Sequence, residues 1–403
     1  MPHHLRPAGD EEFEAFAAVN HAAFGQRLTD AARTRGRHVF EADRSVVAED
    51  GGRIVATAGA LSLELTLPGG GAVPASAVSW VGVLPTHRRR GLLTAMMGRL
   101  LDDARRRGEP VAALHASEAT IYGRFGFGAA THSATYVLPR GALAGSRPEG
   151  QLRLLDDAEA ADVLPAVYDR YRSGVAGELS RTPGWWAANL EDREPEGDGA
   201  RYRVAAAPAG GEVDGYVEYR TAPAWSDGAE PQTALEVTQL CASTPRAERD
   251  LLTYLAGVDL VRRTKITRPA GDGFAGMLAD PRQAAVSGIA DRLWVRPVDV
   301  AAALSARSYR VEASVVLTVD DPACPWNTGT WLLEGGPDGA ACRSGRGEGL
   351  RVTPAAVGCL LLGGVAPSAL SRAGLLREER SGALQRAAAM FGIDPPPWCQ
   401  TDF

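Results

Sequence analysis

The spacing of apolar and polar residues marks out a recurring order of helix and strand. Phe13, Phe16, Ala17 and Phe24 fall near helical spacing and predict a helix over residues 10–24. Residues 45–48 and 54–59 read as strands flanking the turn Glu49-Asp50-Gly51-Gly52, and residues 61–67 alternate as a half-exposed strand does. After Gly69-Gly70-Gly71 comes another strand, residues 76–83. A helix through Met96, Met97, Leu100 and Leu101 ends near Arg107-Gly108, where arginines and a glycine suit the negative helix end and its cap. Residues 111–115 read as an apolar strand, Ile121-Tyr122 as part of a short helix, and residues 131–138 as an alternating strand.

Residues 139–150, rich in Gly, Ser, Pro and Arg, read as a linker. The order then restarts with a helix over 158–172, strands over 202–207, 213–220 and 235–240, a helix over 246–257 and a strand around Lys265-Ile266. From Ala290 a third segment mixes a helix (298–307) with strands (314–319, 330–333). It continues through an apolar run (357–365) and a helix (381–391) to a tail containing Pro395-Pro396-Pro397. Three domains are predicted, over 1–140, 150–290 and 291–403, and 403 residues suffice for each to build a core.

Composition removes several classes. With 45% hydrophobic and 23% charged residues the chain is globular, neither disordered, collagenous nor coiled-coil. Its formal charge of −6 lacks the basic excess of a nucleic-acid wrapper and favours small cationic substrates. Five cysteines form no CxxC pair and the seven histidines no HExxH, so no disulfide framework or metal site is expected. The start lacks an apolar signal core, and no long apolar stretch occurs. A soluble, cytoplasmic protein without membrane contact is the expectation.

The chemistry concentrates in Val81-Gly82-Val83-Leu84-Pro85-Thr86-His87-Arg88-Arg89-Arg90-Gly91-Leu92-Leu93-Thr94. A basic turn between strand and helix offers free backbone N–H groups and the positive helix end, an arrangement that receives a diphosphate. Taken alone it reads first as a solvated basic loop. No GxxxxGK[ST] and no GxGxxG occur at this turn, so neither a P-loop nor a dinucleotide fingerprint competes.

The order Val-x-Val, Pro, Arg-x-x-Gly-x-Leu, helix, strand and Tyr-x₃-Gly-Phe resembles the GNAT-type N-acetyltransferases. Leu93 stands where that pattern has Gly or Ala, and the strand over 76–83 has no glutamate base. His115-Ala116-Ser117-Glu118, Ile121-Tyr122-Gly123-Arg124-Phe125-Gly126, the Arg88–Leu93 turn and the terminal Asp402-Phe403 resemble the enhanced intracellular survival (Eis) acetyltransferases more closely. The resemblance implies an α+β chain of two tandem GNAT-like domains, the second without a coenzyme turn, followed by a sterol-carrier-protein-like α/β domain. It implies a homohexamer and acetyl-CoA-dependent acetylation of primary amines on small polycations such as aminoglycosides, at several positions.

The resemblance also implies site roles. Acetyl-CoA would contact Val81, Gly82, Val83, Arg89, Arg90, Gly91, Leu92, Leu93, Thr94, Ser117 and Glu118. Tyr122 would be the general acid and the terminal carboxylate of Phe403 the general base, delivered by the third domain. Trp80, Gln26 and Asp402 would meet the substrate, Gln26 standing where some members carry an acid. Six steps from Pro397 to Phe403 at ~3.1 Å each give the tail a reach of roughly 19 Å. Competing readings are a protein-lysine acetyltransferase and a non-enzymatic lipid carrier, whose cavity the apolar run over 357–365 would line unless that run is a buried element. In the residues alone, Tyr122 and Trp80 also fit simple packing, and Phe403 a frayed end.

Overall fold

The structure, a computed structural model of the chain, describes residues 4–143, 147–190, 199–228 and 230–403. It divides into two compact units: Met1–Thr131 with Ala176–Ala188 and Arg292–Phe403, and His132–Val175 with Asn189–Asp291.

In the first unit the opening helix forms as a 3-10 turn, Asp10–Glu12, running into α1 (Phe13–Ala23). A second helix, α2 (Asp30–Val39), was not anticipated. Thr29 caps it through Oγ1, which accepts from Ala32 N. Strands β1 (His4–Pro7), β2 (Ser45–Asp50), β3 (Arg53–Thr66) and β4 (Ala72–Val83) follow. The two strands expected over 54–59 and 61–67 are one, because pairing with β4 runs without interruption from Gly59 to Thr66, past a bulge after Thr57. Ser62 and Glu64 remain exposed between buried Leu61, Leu63 and Leu65, so the alternation survives. Helix α3 (Leu92–Arg106) crosses over to β5 (Val111–His115), then α4 (Ala119–Tyr122) and β6 (Gly128–Ala129). The sheet order is β1-β2-β3-β4-β5, then Leu293–Pro297, then β6. Met96, Met97, Leu100 and Leu101 of α3 pack on Val46, Ala48 and Val78 as one buried cluster.

The strand after Ala130 joins neither of these neighbours. His132–Pro139 pairs with Val261–Pro269 and Ala285–Asp291 in the second unit's seven-stranded sheet, and Leu293–Pro297 takes its place beside β5. Sheet membership therefore changes at residue 132 rather than 140, and again at 292. Of the expected linker, residues 144–146 lie outside the described residues. The second sheet contains a parallel pair, Thr233–Ala242 and Val261–Pro269, bridged by helix Pro245–Ala256.

The last part of the first unit is a five-stranded sheet with helices, and there the apolar run is a buried element. It forms helix Pro354–Leu362, in which every residue is buried. Arg296, on the strand beside β5, donates to both oxygens of buried Asp321 at 2.8 Å, and Trp326 Nε1 donates to Val298 O at 2.7 Å. These contacts tie the sterol-carrier-like part to the first sheet. Among the described residues no helix is long and apolar enough to cross a membrane.

Candidate active site

Strands β4 and β5 run parallel but pair only over Ala75–Ala77 and Val111–Ala113. Beyond that point they diverge, and one edge of residues 78–83 loses its partner on that side. A bulge in the β3–β4 ladder falls at the same place. There Trp80 adopts φ +57°, and its carbonyl accepts from Thr57 Oγ1 at 2.9 Å. A left-handed conformation costs a bulky residue energy and persists where the surroundings hold it. Phe13 and Phe16 provide that hold, each meeting the Trp80 ring edge-on at 6.3 and 6.0 Å.

The turn before α3 is open. Gly91 is the N-cap at φ +81° and provides no side-chain cap, so the first N–H groups of α3 receive none from it. A Cβ at Gly91 would meet nothing within 4 Å, so glycine is favoured there by φ and not by space. Arg88 Nη2 donates to Ala23 O at 2.7 Å and Arg90 Nη2 to Thr86 O at 2.9 Å, which braces the turn. A cleft of about 690 Å³ lies over it. Val81, Gly82 and Val83, then Arg89 and Gly91 to Thr94, then Ser117 and Glu118 all line this cleft. Arg90 does not; its guanidinium serves the backbone instead. Arg88, part of the turn expected to receive the diphosphate, lines it too, and so do His87 and Arg124, which the sequence does not single out.

A second cavity of about 350 Å³ adjoins the first, sharing Phe24, Val81, Ser117 and Tyr122. Trp80 and Phe403 are on its wall. Tyr122 is buried, and burial raises its pKa above the ordinary tyrosine value; a hydrogen bond with Ser117 pulls it down and the Glu118 charge pushes it up. The phenol is therefore a proton-bearing group at the junction of the two spaces.

The tail that brings Phe403 here is fastened along its length. Trp398 N donates to Ala176 O at 2.8 Å, Gln400 N to Glu178 Oε1 at 3.1 Å, Arg181 Nε to Thr401 Oγ1 at 3.1 Å and Trp185 Nε1 to Asp402 O at 2.8 Å. His115 holds it from the sheet side. Its Nε2 is 3.0 Å from Thr401 O, its Nδ1 3.1 Å from Arg292 O, and its ring lies 5.0 Å from that of Phe403. Both carbonyls only accept, so a neutral ring answers one of them and a doubly protonated ring both.

Two expected substrate contacts lie elsewhere. Asp402 is exposed and faces Arg292 Nη2 at 3.3 Å, which offsets its charge. Gln26 is exposed on the turn after α1, with its backbone N donating to His21 O at 2.9 Å, and it does not line the cavity. Asn20, Val39 and Ser79 do line it. No local motif flags them: Asn20 is one polar residue on an apolar helix, and Val39 ends the helix that was not anticipated.

An uncapped helix end beside splayed parallel strands, with a second cavity opening from it, defines the acetyl-CoA-dependent N-acetyltransferases of the GNAT type. Residues 4–130 and 177–297 each match the acetyltransferase (GNAT) domain, and residues 300–400 match the sterol carrier protein domain. The chain belongs to the Eis family of N-acetyltransferases. It is 34% identical over 394 residues to the N-acetyltransferase Eis of Mycobacterium tuberculosis, covering 93% of both chains. It is 41% identical over 379 residues to an uncharacterized N-acetyltransferase of Streptomyces coelicolor, covering 91% of both. The crystal structure of Eis1 from Mycobacterium abscessus superposes with a TM-score of 0.87 at 35% identity, over 99% of this chain and 100% of that one. A GCN5-related N-acetyltransferase from Anabaena variabilis shares the fold at 18% identity, also with a TM-score of 0.87.

Proposed function

We propose that the chain acetylates primary amines of small molecules, with Tyr122 as general acid and the α-carboxylate of Phe403 as general base. The observation that carries this reading is that cleft and cavity meet at Tyr122, with Phe403 on the cavity wall. Acetyl-CoA supplies the acetyl group as an activated thioester. Val81, Gly82 and Val83 offer backbone to its arm, and the N-terminus of α3 with Arg89 offers charge to its diphosphate. The Phe403 carboxylate takes a proton from the acceptor ammonium or amine, directly or through a water. A carboxylate is a weak base in bulk water, and a desolvated position strengthens it. Tyr122 gives its proton to the sulfur that leaves, and raised affinity for that proton keeps it available across the neutral range. Bonds balance: one C–N forms, one C–S breaks, the Phe403 carboxylate takes the proton that nitrogen loses, and Tyr122 gives the proton that sulfur gains.

Small polycations, aminoglycosides among them, are candidate acceptors, acetylated at more than one amine. A homohexamer in the cytoplasm is the proposed working form, which native mass spectrometry tests. For the mechanism the test is a single glycine appended after Phe403. It turns the Phe403 carboxylate into a neutral amide and moves the charge outward by about 3.3–3.6 Å. Turnover should fall on the order of 10²–10⁴-fold with acetyl-CoA affinity retained by calorimetry. Full activity in the extended enzyme would remove Phe403 as the base.

A further inference from the structure

The turn that carries Tyr122 is backed by Arg296 and by helix Pro354–Leu362. Tyr122 ends α4, and the 3-10 turn Gly123–Phe125 follows. Gly126 N donates to Gly123 O at 3.0 Å and Phe127 N to Tyr122 O at 3.3 Å, so the segment closes on itself at Gly126, where φ is +83°. That dihedral disfavours a side chain, and so does the space. A Cβ at Gly126 would overlap Arg296 Nη1 and stand 2.9 Å from Pro354 Cβ. Two residues on, a Cβ at Gly128 would overlap Ala355 O and stand 2.7 Å from Cys359 Sγ, which donates to Ala129 O at 3.2 Å. The helix thus lies against the chain that leaves the turn, and the Arg296 guanidinium against its closing glycine.

Stability alone does not call for an arginine there. Arg296 and Asp321 are both buried, and the carboxylate is well answered: besides Arg296 Nη2 it accepts from Cys324 N and from Asn327 Nδ2, each at 3.0 Å. The guanidinium is not, because Nε and Nη1 have no hydrogen-bond partner among the described residues. A buried ion pair contributes little beyond an apolar pair of the same shape, and unmatched buried donors subtract from it. What arginine does supply is a rigid plate of fixed orientation. Asp321 sets that orientation from one side, and the Nη1 edge meets Gly126 on the other.

We propose that Arg296, oriented by Asp321, is a positioning residue for acetyl transfer: it fixes the Tyr122 turn so that the phenol stays where cleft and cavity meet. The proposal rests on the reading of Tyr122 as general acid. Proton delivery to the departing sulfur demands close placement, and a shift of about 1 Å at a reacting group costs on the order of 10²-fold in rate. The coenzyme turn has braces of its own, from Arg88 to Ala23 O and from Arg90 to Thr86 O. Loss of the Arg296 plate should therefore reach turnover and leave coenzyme binding alone.

The test uses the full-length enzyme with acetyl-CoA and the best acceptor among kanamycin, spermidine and phenethylamine, followed by free thiol release. Arg296→Lys keeps a charge opposite Asp321 and loses the plate. Arg296→Met combined with Asp321→Asn removes both charges at similar volume. Thermal melting confirms folding, and the lysine variant, which preserves the ion pair, is the one to read if the other unfolds. Each should lower kcat about tenfold or more, with the KM and calorimetric Kd for acetyl-CoA unmoved. In a Tyr122→Phe background neither should lower kcat further, because groups that act as a unit are not additive and the group being positioned is gone. Unchanged kcat in the folded variants overturns the proposal. So does an equal fold-loss with and without the Tyr122 phenol, which would make Arg296 a general brace, or a loss carried by acetyl-CoA affinity. Full turnover in Tyr122→Phe itself, or no acetylation of any of the three amines, would instead sink the reading of Tyr122 in a small-amine acetyltransferase, and this role with it.

Discussion

The two GNAT domains build the same strand–helix–strand device and treat its helix end in opposite ways. In both, a parallel pair separates after a short ladder: β4 from β5 beyond Ala77, and Thr233–Ala242 from Val261–Pro269 beyond Val237. The splay is shared, so splay alone does not make a coenzyme site. At α3 the cap is Gly91, without a side chain, and the basic turn lies open. At helix Pro245–Ala256 the cap is Thr244, whose Oγ1 accepts from Ala247 N at 3.1 Å, and Pro245 removes one N–H altogether. Asp214 then occupies the positive end. It accepts from Thr244 Oγ1 at 2.7 Å, and its other oxygen pairs with Arg246 at 2.5 Å. An anion site is thus a helix end left unsatisfied, and the second domain satisfies its own.

Closing the open end is the most damaging way to test that contrast. Gly91→Glu puts a side chain at φ +81° and a negative charge at the helix end proposed to receive the diphosphate. Acetyl-CoA binding should weaken by roughly 2–4 kcal/mol, some 30- to 1,000-fold, from strain and repulsion together. Calorimetry should then find no compensating site. Residual tight binding in this variant would show that the second domain holds coenzyme after all.

Next in size is Tyr122→Phe, which removes the phenol that the first domain presents to both its cleft and its cavity. Turnover should drop on the order of 10²-fold with coenzyme affinity nearly intact. The sign of its pH dependence follows from burial. A tyrosine whose pKa is raised stays protonated to higher pH, so proton donation persists at least to the ordinary tyrosine range, about pH 10. Any alkaline fall below that should survive in Tyr122→Phe. Its disappearance there would assign the fall to Tyr122.

The smallest effect belongs to the second domain. Thr244→Ala should cost about 1 kcal/mol of stability, as lost caps do, with kcat and the KM for acetyl-CoA unchanged. Thermal melting with parallel assays reads both. A change in acetyl-CoA KM would mean that the second helix end takes part in binding.

Much of this was legible along the chain. The Arg88–Gly91 turn, the α3 helix and the alternation of β3 follow from local rules of capping and periodicity, and they emerge where expected. Helix α2 escaped notice because Gly36 and scattered arginines blur its periodicity, although Thr29-Asp30 is a readable cap. Residues 131–138 read correctly as a strand, yet nothing local says which sheet takes them.

The linear sequence by itself determined the open helix end, the tyrosine beside it, the lack of a second basic turn and the family to which these belong. Each depends on residues close together in the chain, where steric and hydrogen-bonding preferences act directly. Tertiary structure decided the rest. Trp80 is held at φ +57° by rings from helix α1, His115 is set between two distant carbonyls, and Asp402 is matched by Arg292. Asn20 is set on the cavity wall with its Nδ2 unmatched among the described residues. Such features arise where segments remote in sequence close upon one another, and burial, which sets their energies, exists only once they have done so.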